Sequence, residues 1–254
     1  MNGVRIRNSI REAPYLGPMK PFGHTLFIDK PLDWTSFDVV NKIRYGARDI
    51  IGVKKVKVGH AGTLDPLASG LVIICVGSHT KIIEGFMGLD KTYSGSFVLG
   101  ASRPSYDMET EIDHRFELPP NELTLLNDMA QSMTGDMDQI PPIYSAKKIG
   151  GRKAYELARK GKDVELKSSR VHIESFVIDN SRFPEIGFEV KCSKGTYIRS
   201  LAHDFGKNLG SGAYLSSLRR VAIGPHNIDE AQSIEEGIEE LRRSYSIYQT
   251  EHSE

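Results

Sequence analysis

The sequence predicts an α+β domain on a mixed sheet, and three observations lead to that class. Strand-like and helix-like segments interleave without a regular alternation. No internal repeat or low-complexity linker interrupts the 254 residues. The chain is long enough to bury a sizeable core, as one large domain or two small ones. With 39% hydrophobic residues the composition is that of an ordinary globular protein, and no apolar run is long enough to span a membrane. Polar and charged residues follow Met1, so no secretory signal is expected.

In chain order, residues 1–22 carry Pro14, Gly17, Pro18 and Pro21 and read as a flexible lead-in. His24–Asp29 reads as a short strand ended by Lys30-Pro31. Ser36 is the expected N-cap of a helix with Val39, Val40, Ile43 and Ala47 at helical spacing. The stretch Val58–Gly70 combines three glycines, Pro66, His60 and a single carboxylate, Asp65. It runs into the apolar strand Leu71–Val76. Tyr93–Gly100 alternates as a strand with Tyr93, Phe97 and Leu99 on one face. Residues 102–120 are polar and read as a surface loop, and 120–134 have weak helical spacing. The prolines of Gln139–Ala146 break regular structure. A basic helix is expected from Arg152 to Lys160, ending at Gly161. Val171–Val177 and Phe188–Cys192 alternate like strands. Gly195-Thr196-Tyr197 leads into a helix carrying Ile198, Leu201, Ala202, Phe205 and Leu209 on one side. The last segment has helical spacing over 233–243.

Cys75 and Cys192 both fall in apolar strand-like segments, which favours buried, reduced thiols in a cytosolic protein. The eight histidines show no HxxxH or CxxC spacing, so a zinc site is not expected. The formal net charge of zero hides an asymmetry. Residues 229–254 carry eight acids against Arg242 and Arg243, a net of −6, so residues 1–228 carry +6. The positive charge gathers in two clusters: Lys42, Arg44, Arg48, Lys54, Lys55 and Lys57, then Lys147, Lys148, Arg152, Lys153, Arg159, Lys160 and Lys162. Such clusters are commonly solvated faces, but two in one chain make a polyanion partner plausible.

Asp65 is the only acid in an otherwise apolar loop. Leucines 64, 67 and 71 are expected to bury its flanks. A carboxylate among leucines is paired, hydrogen-bonded or functional, because burying a bare charge is costly. An Asp-Pro turn ahead of a buried strand is one reading and a catalytic group the other. A carboxylate in an apolar site needs a nearby cation to stay ionised, and Arg199 is the best candidate. The alternative is that Arg199 decorates its own helix. Tyr93 has the shape to pack against a planar ligand or simply to fill the sheet. Tyr197 is open to the same two readings, and His60 is expected in an exposed loop. No Gly-Lys-Ser/Thr closes the glycine-rich stretch, so it is not a phosphate cradle. One acid, one arginine, aromatics and basic flanks suit chemistry on a nucleic-acid base.

Gly59-His60-Ala61-Gly62-Thr63-Leu64-Asp65-Pro66-Leu67-Ala68-Ser69-Gly70 resembles the signature loop of the TruB family of tRNA pseudouridine synthases. Asp29-Lys30-Pro31, Lys91-Thr92-Tyr93, Gln139–Ala146, Cys192–Arg199 and Leu218-Arg219-Arg220 agree in the same order, over about residues 24–224. The resemblance implies the pseudouridine synthase fold, a mixed, mostly antiparallel sheet flanked by helices, with a central active-site cleft. It implies an isomerase that converts the T-loop uridine at position 55 of tRNA to pseudouridine without cofactor or metal. By the same resemblance Asp65 is the catalytic nucleophile, Arg199 keeps it charged, and Tyr93 stacks on the flipped uracil. Tyr197 and Leu218 line the uracil pocket, His60 fills the gap left in the T-loop, and Lys30 supports the catalytic loop. Segment 139–162 becomes a thumb over the RNA, with Lys147, Lys148, Arg152 and Lys153 as its contacts. The implied organisation is an extension over 1–22, a catalytic domain over 23–228 and an acidic tail over 229–254. The expected partner is the T-arm of tRNA, with no membrane, for a cytoplasmic monomer.

Two departures stand out. Ala61 replaces a threonine frequent in the family, which leaves the acid untouched. Residues 229–254 do not make a complete C-terminal RNA-binding PUA domain, so weaker RNA binding with intact chemistry is expected. That absence also argues against the guide-RNA-dependent relatives. The rival reading is a non-catalytic RNA binder on the same scaffold, but a pure binder has no use for an acid facing anionic RNA.

Overall fold

In the computed structural model the described residues are 21–145, 147–149, 152–154 and 166–252. The first half runs β1 (Gly23–Lys30), α1 (Ser36–Ile51), β2 (Val58–His60), β3 (Ala68–Gly77), α2 (Ile83–Gly88) and β4 (Lys91–Leu99). Short strands β5 (Ala101–Ser102) and β6 (His114–Arg115) precede α3 (Leu123–Ser132), β7 (Gly135–Gln139), β8 (Lys148–Ile149) and β9 (Arg152–Lys153). Then come β10 (Ser169–Arg182), β11 (Glu185–Cys192), α4 (Ile198–Asn208), β12 (Ala213–Ile223), β13 (His226–Asn227) and α5 (Ile234–Glu251).

Nine strands form one sheet in the order β1-β3-β12-β4-β11-β10-β7, with β2 added beside β3 and β13 beside β12. Every pairing in it is antiparallel except β3 with β12. The apolar run in β3 has a simple cause, since both faces of that strand are covered. Val72, Ile74 and Val76 join the main core under the helices, while Leu71, Ile73 and Cys75 face a smaller cluster with Phe27, Phe86 and Ile223. Both cysteines are buried free thiols, as expected.

The parallel β3–β12 junction depends on a glycine. Gly70 lies opposite Arg220 at φ +107°, and a Cβ there would meet the Arg220 carbonyl oxygen at 2.3 Å. Only a residue without a side chain allows the two backbones so close. The same register makes rows across three strands, Gly70–Arg220–Tyr93 and Ala68–Leu218–Gly95.

Several sequence expectations move. The N-cap of α1 is Thr35, in a capping box with Asp38, and not Ser36. Threonine caps as serine does, and Ser36 is left free for another partner. Residues 101–115 are more than a surface loop, because Ser105 and Asp107 are buried. Arg152–Lys153 pairs with Lys148–Ile149 as a strand instead of opening the basic helix. Residues 155–160 of that expected helix lie outside the described residues, as do residues 1–20 of the lead-in. The C-terminal helix is longer than its sequence spacing, and its Ile234 and Leu241 sit in the main core. Gly46 and Gly237 let it close on α1 and β1, where a Cβ would meet Ile238 at 3.0 Å and Ile28 at 2.6 Å.

Candidate active site

The loop before β3 is held from three sides. Leu64 N–H donates to Ser36 Oγ at 2.8 Å, and that hydroxyl donates to the Leu64 carbonyl at 3.1 Å. Ser36 stands in the first turn of α1, so the helix start and the loop are locked together. Arg220 is buried and donates to the carbonyls of Leu71 (2.8 Å), Gly62 (3.2 Å) and Thr63 (3.4 Å). Asp33 N–H closes the loop with the Pro66 carbonyl at 2.9 Å. Charge is thus used inside the fold to neutralise loop carbonyls that would otherwise be unsatisfied.

That clamp presents the Asp65 side chain outward, 41% exposed. Leu64 is buried as expected, but Leu67 is 37% exposed and does not cover the flank. The Asp65–Pro66 turn directs it to a shallow recess shared with Met108.

Arg199 Nη2 lies 2.9 Å from Asp65 Oδ2, and the arginine side chain is only 5% exposed. It is the second residue of α4, the end of a helix that disfavours cations, so it does not serve the helix. Its position follows from its partners. Nη1 lies 3.3 Å from Asp107 Oδ2 and donates to the carbonyls of Tyr144 (2.9 Å) and Ser105 (3.4 Å). The turn before it is pinned by Gln139, whose amide accepts from Tyr197 N–H at 2.7 Å and donates to the Tyr197 carbonyl at 3.1 Å.

Asp107 escaped the sequence reading. Burial pushes its carboxyl above the usual aspartate range, and Arg199 draws it back. The backbone beside it is constrained, since Tyr106 takes φ +63°, stacks on His203 at 3.8 Å and accepts from Leu215 N–H. No local spacing links residue 107 to 199, and in a polar segment that also carries Glu109, Glu111 and Asp113 nothing singles it out.

Asp65 and Arg199 open onto a cleft of about 910 Å³. Tyr93 and Leu218 line it from neighbouring strands β4 and β12, joined by Tyr197 and Lys147. Burial pushes the phenols of Tyr93 and Tyr197 up, so both remain neutral, apolar-faced walls. Lys147 Nζ donates to the Lys167 carbonyl and to Ser169 Oγ, at 3.0 and 2.9 Å.

Two named residues do not line the cleft. Lys30 is fully buried and donates to the carbonyls of Pro31 (2.8 Å) and Trp34 (2.6 Å). Burial lowers its pKa to about 8 against the favourable charges of Asp65 and Asp33. His60 ends β2 instead of sitting in an exposed loop, because β2 adds to β3. Its Nδ1 is buried without a hydrogen-bond partner, and burial followed by Arg220 holds its imidazole below the usual range. The side chains of Lys148, Arg152 and Lys153 lie outside what is described. Among the described residues no three of His, Cys, Asp and Glu are grouped so as to hold a metal ion.

The family model described as "TruB family pseudouridylate synthase (N terminal domain)" matches residues 48–198, which include Asp65 and its loop. The chain belongs to the TruB family. TruB relatives named tRNA pseudouridine synthase B include that of Phocaeicola vulgatus, 49% identical over 84% of this chain and 91% of its own length. The Chlorobaculum tepidum relative is 45% identical over 89% of this chain and 93% of its own. Among solved structures, one of a Cbf5–Nop10–Gar1 complex aligns with TM-score 0.63 at 24% identity. It covers 92% of this chain but 57% of the other, and it establishes the pseudouridine synthase fold alone.

Proposed function

We propose that this TruB-family chain isomerises the T-loop uridine at position 55 of tRNA to pseudouridine, with Asp65 as nucleophile. The observation that carries the reading is the Asp65–Arg199 pair at 2.9 Å, opening onto a cleft walled by Tyr93, Tyr197 and Leu218. The reacting carbon of a uridine stacked in a loop is out of reach, so the nucleotide is flipped into the cleft.

The C1′–N1 bond breaks, the detached uracil turns, C5 bonds to C1′, the C5 proton leaves to solvent and N1 takes up a proton, so that product and substrate are isomers. Charge balance favours an acid at this place, because cleavage develops positive charge on the sugar that an adjacent carboxylate stabilises. Asp65 acts either at C1′ or on the base, and both routes use the same pair. Arg199 holds it aimed at the cleft through their 2.9 Å contact. Tyr93 offers its ring to the uracil, with Tyr197 and Leu218 opposite. His60 takes the space vacated in the loop, Lys30 supports the catalytic turn from beneath, and residues 139–162 close over the RNA.

One chain supplies all of these groups, which supports action as a monomer, and a tRNA substrate supports a cytoplasmic location. The domain reading is kept with it: a catalytic unit over 23–228 followed by an acidic segment over 229–254. Residues 1–22 are its N-terminal extension.

Tritium release from tRNA transcripts labelled at uridine C5 tests the reading directly. Wild type is expected to release the label and Asp65→Asn to release none above background. Equal release from both proteins would end the nucleophile assignment.

A further inference from the structure

The first basic cluster, residues 42–57, is not used by the reaction. Six cations (Lys42, Arg44, Arg48, Lys54, Lys55, Lys57) stand there against Asp49 alone, a net of +5 in sixteen residues. The structure arranges them. Phe37, the part-buried Arg44 and Arg48 fall on one outward stripe of α1, at i, i+7 and i+11, opposite the buried Val39, Val40, Ile43 and Ala47. Tyr45 flanks the stripe. Phe37 and Tyr45 are 59% and 65% exposed. Arg44 and Arg48 each stand 5.8 Å from the centroid of one of these rings. Gly52 then ends the helix in a left-handed cap, and Lys54, Lys55 and Lys57 follow on an exposed turn.

Two features separate this face from ordinary solvated charge. Elsewhere on the surface Arg170, Arg182, Lys191 and Arg242 pair with carboxylates, and the cations that show no ion pair among the described residues, such as Lys81, Arg115, Lys194 and Lys207, are scattered and not gathered in a run. None of the six cations here pairs with a carboxylate among the described residues, and the acidic helix α5 packs on another side of α1, through Gly46 and Ile238. The face is also joined to the site at both ends. Phe37 follows Ser36, which holds Leu64, and Arg44 donates to the Val58 carbonyl at 3.3 Å, two residues before His60. From Phe37 to Arg48 the stripe runs about 16 Å along the helix.

We propose that this stripe and the turn after it are a second RNA-binding face, which holds the phosphate backbone of the substrate tRNA outside the flipped loop. It rests on the tRNA reading above. Unpaired cations attract a polyanion through counterion release. Exposed rings capped by guanidinium planes suit sugar and base edges of RNA, which is recognised by stacking and shape. A protein partner would have to be acidic, and nothing in the face selects one.

The test compares wild type with Arg48→Glu/Lys54→Glu/Lys55→Glu, using tritium release from full-length tRNA at several salt concentrations. The expected result is a KM raised about ten-fold or more and a salt slope lowered by about 2, with turnover at saturating tRNA retained. If the reversed-charge protein does not fold, Arg48→Gln/Lys54→Gln/Lys55→Gln carries the test, with the same fall in slope and a smaller rise in KM. Unchanged KM and salt slope would overturn the inference and leave the face to solvent or to an acidic protein. Absence of tritium release from wild type would instead overturn the pseudouridine reading, so the two failures are distinct.

Discussion

Arg199 divides its guanidinium between two acids, with Nη2 at 2.9 Å from Asp65 and Nη1 at 3.3 Å from Asp107. Asp107 is buried at the back of the pair, while Asp65 faces the cleft. The buried acid therefore fixes the direction of the arginine, and the arginine fixes the exposed acid.

Asp107→Asn should lower kcat by about 10- to 100-fold with little change in KM, since the orienting group is lost and the cleft walls are not. Burial holds Asp107 above the usual carboxylate range. On acidification it is protonated before an exposed aspartate, so the acid limb of the wild-type rate profile should begin at a higher pH than that of Asp107→Asn. Single-turnover rates across pH 4–8 check this, and superimposable acid limbs would refute it.

Removing the other side of the pair is harsher. Arg199→Met should cost roughly 3–5 kcal/mol of stability, because it leaves Asp107 charged and buried without its cation. Denaturant unfolding measures this, and a loss below about 1 kcal/mol would mean that the carboxylate finds another partner.

Ser36→Ala removes both hydrogen bonds to Leu64 and leaves a buried N–H and C=O unsatisfied. The expected loss is about 1–3 kcal/mol, with a fall in kcat because the turn carrying Asp65 loosens. Ser36→Thr, which keeps the hydroxyl, should recover most of both. Equal behaviour of the two variants in melting and turnover would argue against the clamp.

Lys30 gives a pH signature of stability. Its folded pKa of about 8 lies below the unfolded value of 10.5. The unfolded chain therefore binds more protons between these values, and stability from this group rises with pH from about 8 to 10.5, by roughly 3 kcal/mol in all. Below pH 8 the contribution is gone. Lys30→Met should flatten that rise while leaving the Pro31 and Trp34 carbonyls unpaired. Urea midpoints at pH 7, 8, 9 and 10 provide the comparison.

Replacing Lys147, Lys148 and Lys153 by Ala should weaken tRNA binding and reduce the salt slope by about 2, at roughly 0.7 per lost single-strand contact. Filter binding at stepped salt concentrations measures it. A slope equal to wild type would remove the thumb from the RNA contacts.

The mixed α+β class, the apolar strand 71–76, the reduced cysteines and the ordered motifs around Asp65 were all legible in the sequence. These are local signals, carried by periodicity, turn residues and short contiguous runs. The sequence also brought Asp65 and Arg199 together as a candidate pair, because an acid among leucines demands a cation. Which groups meet across the chain was settled by the fold. Asp107 behind Arg199, Ser36 turned from cap to clamp, Arg220 threaded under Gly62 and Thr63, and His60 drawn into a strand all come from sheet order and helix docking. Those contacts are set by the parallel β3–β12 junction and the packing of α1 and α4, where burial drives polar groups towards partners far along the chain, and no short spacing in the sequence records such a choice.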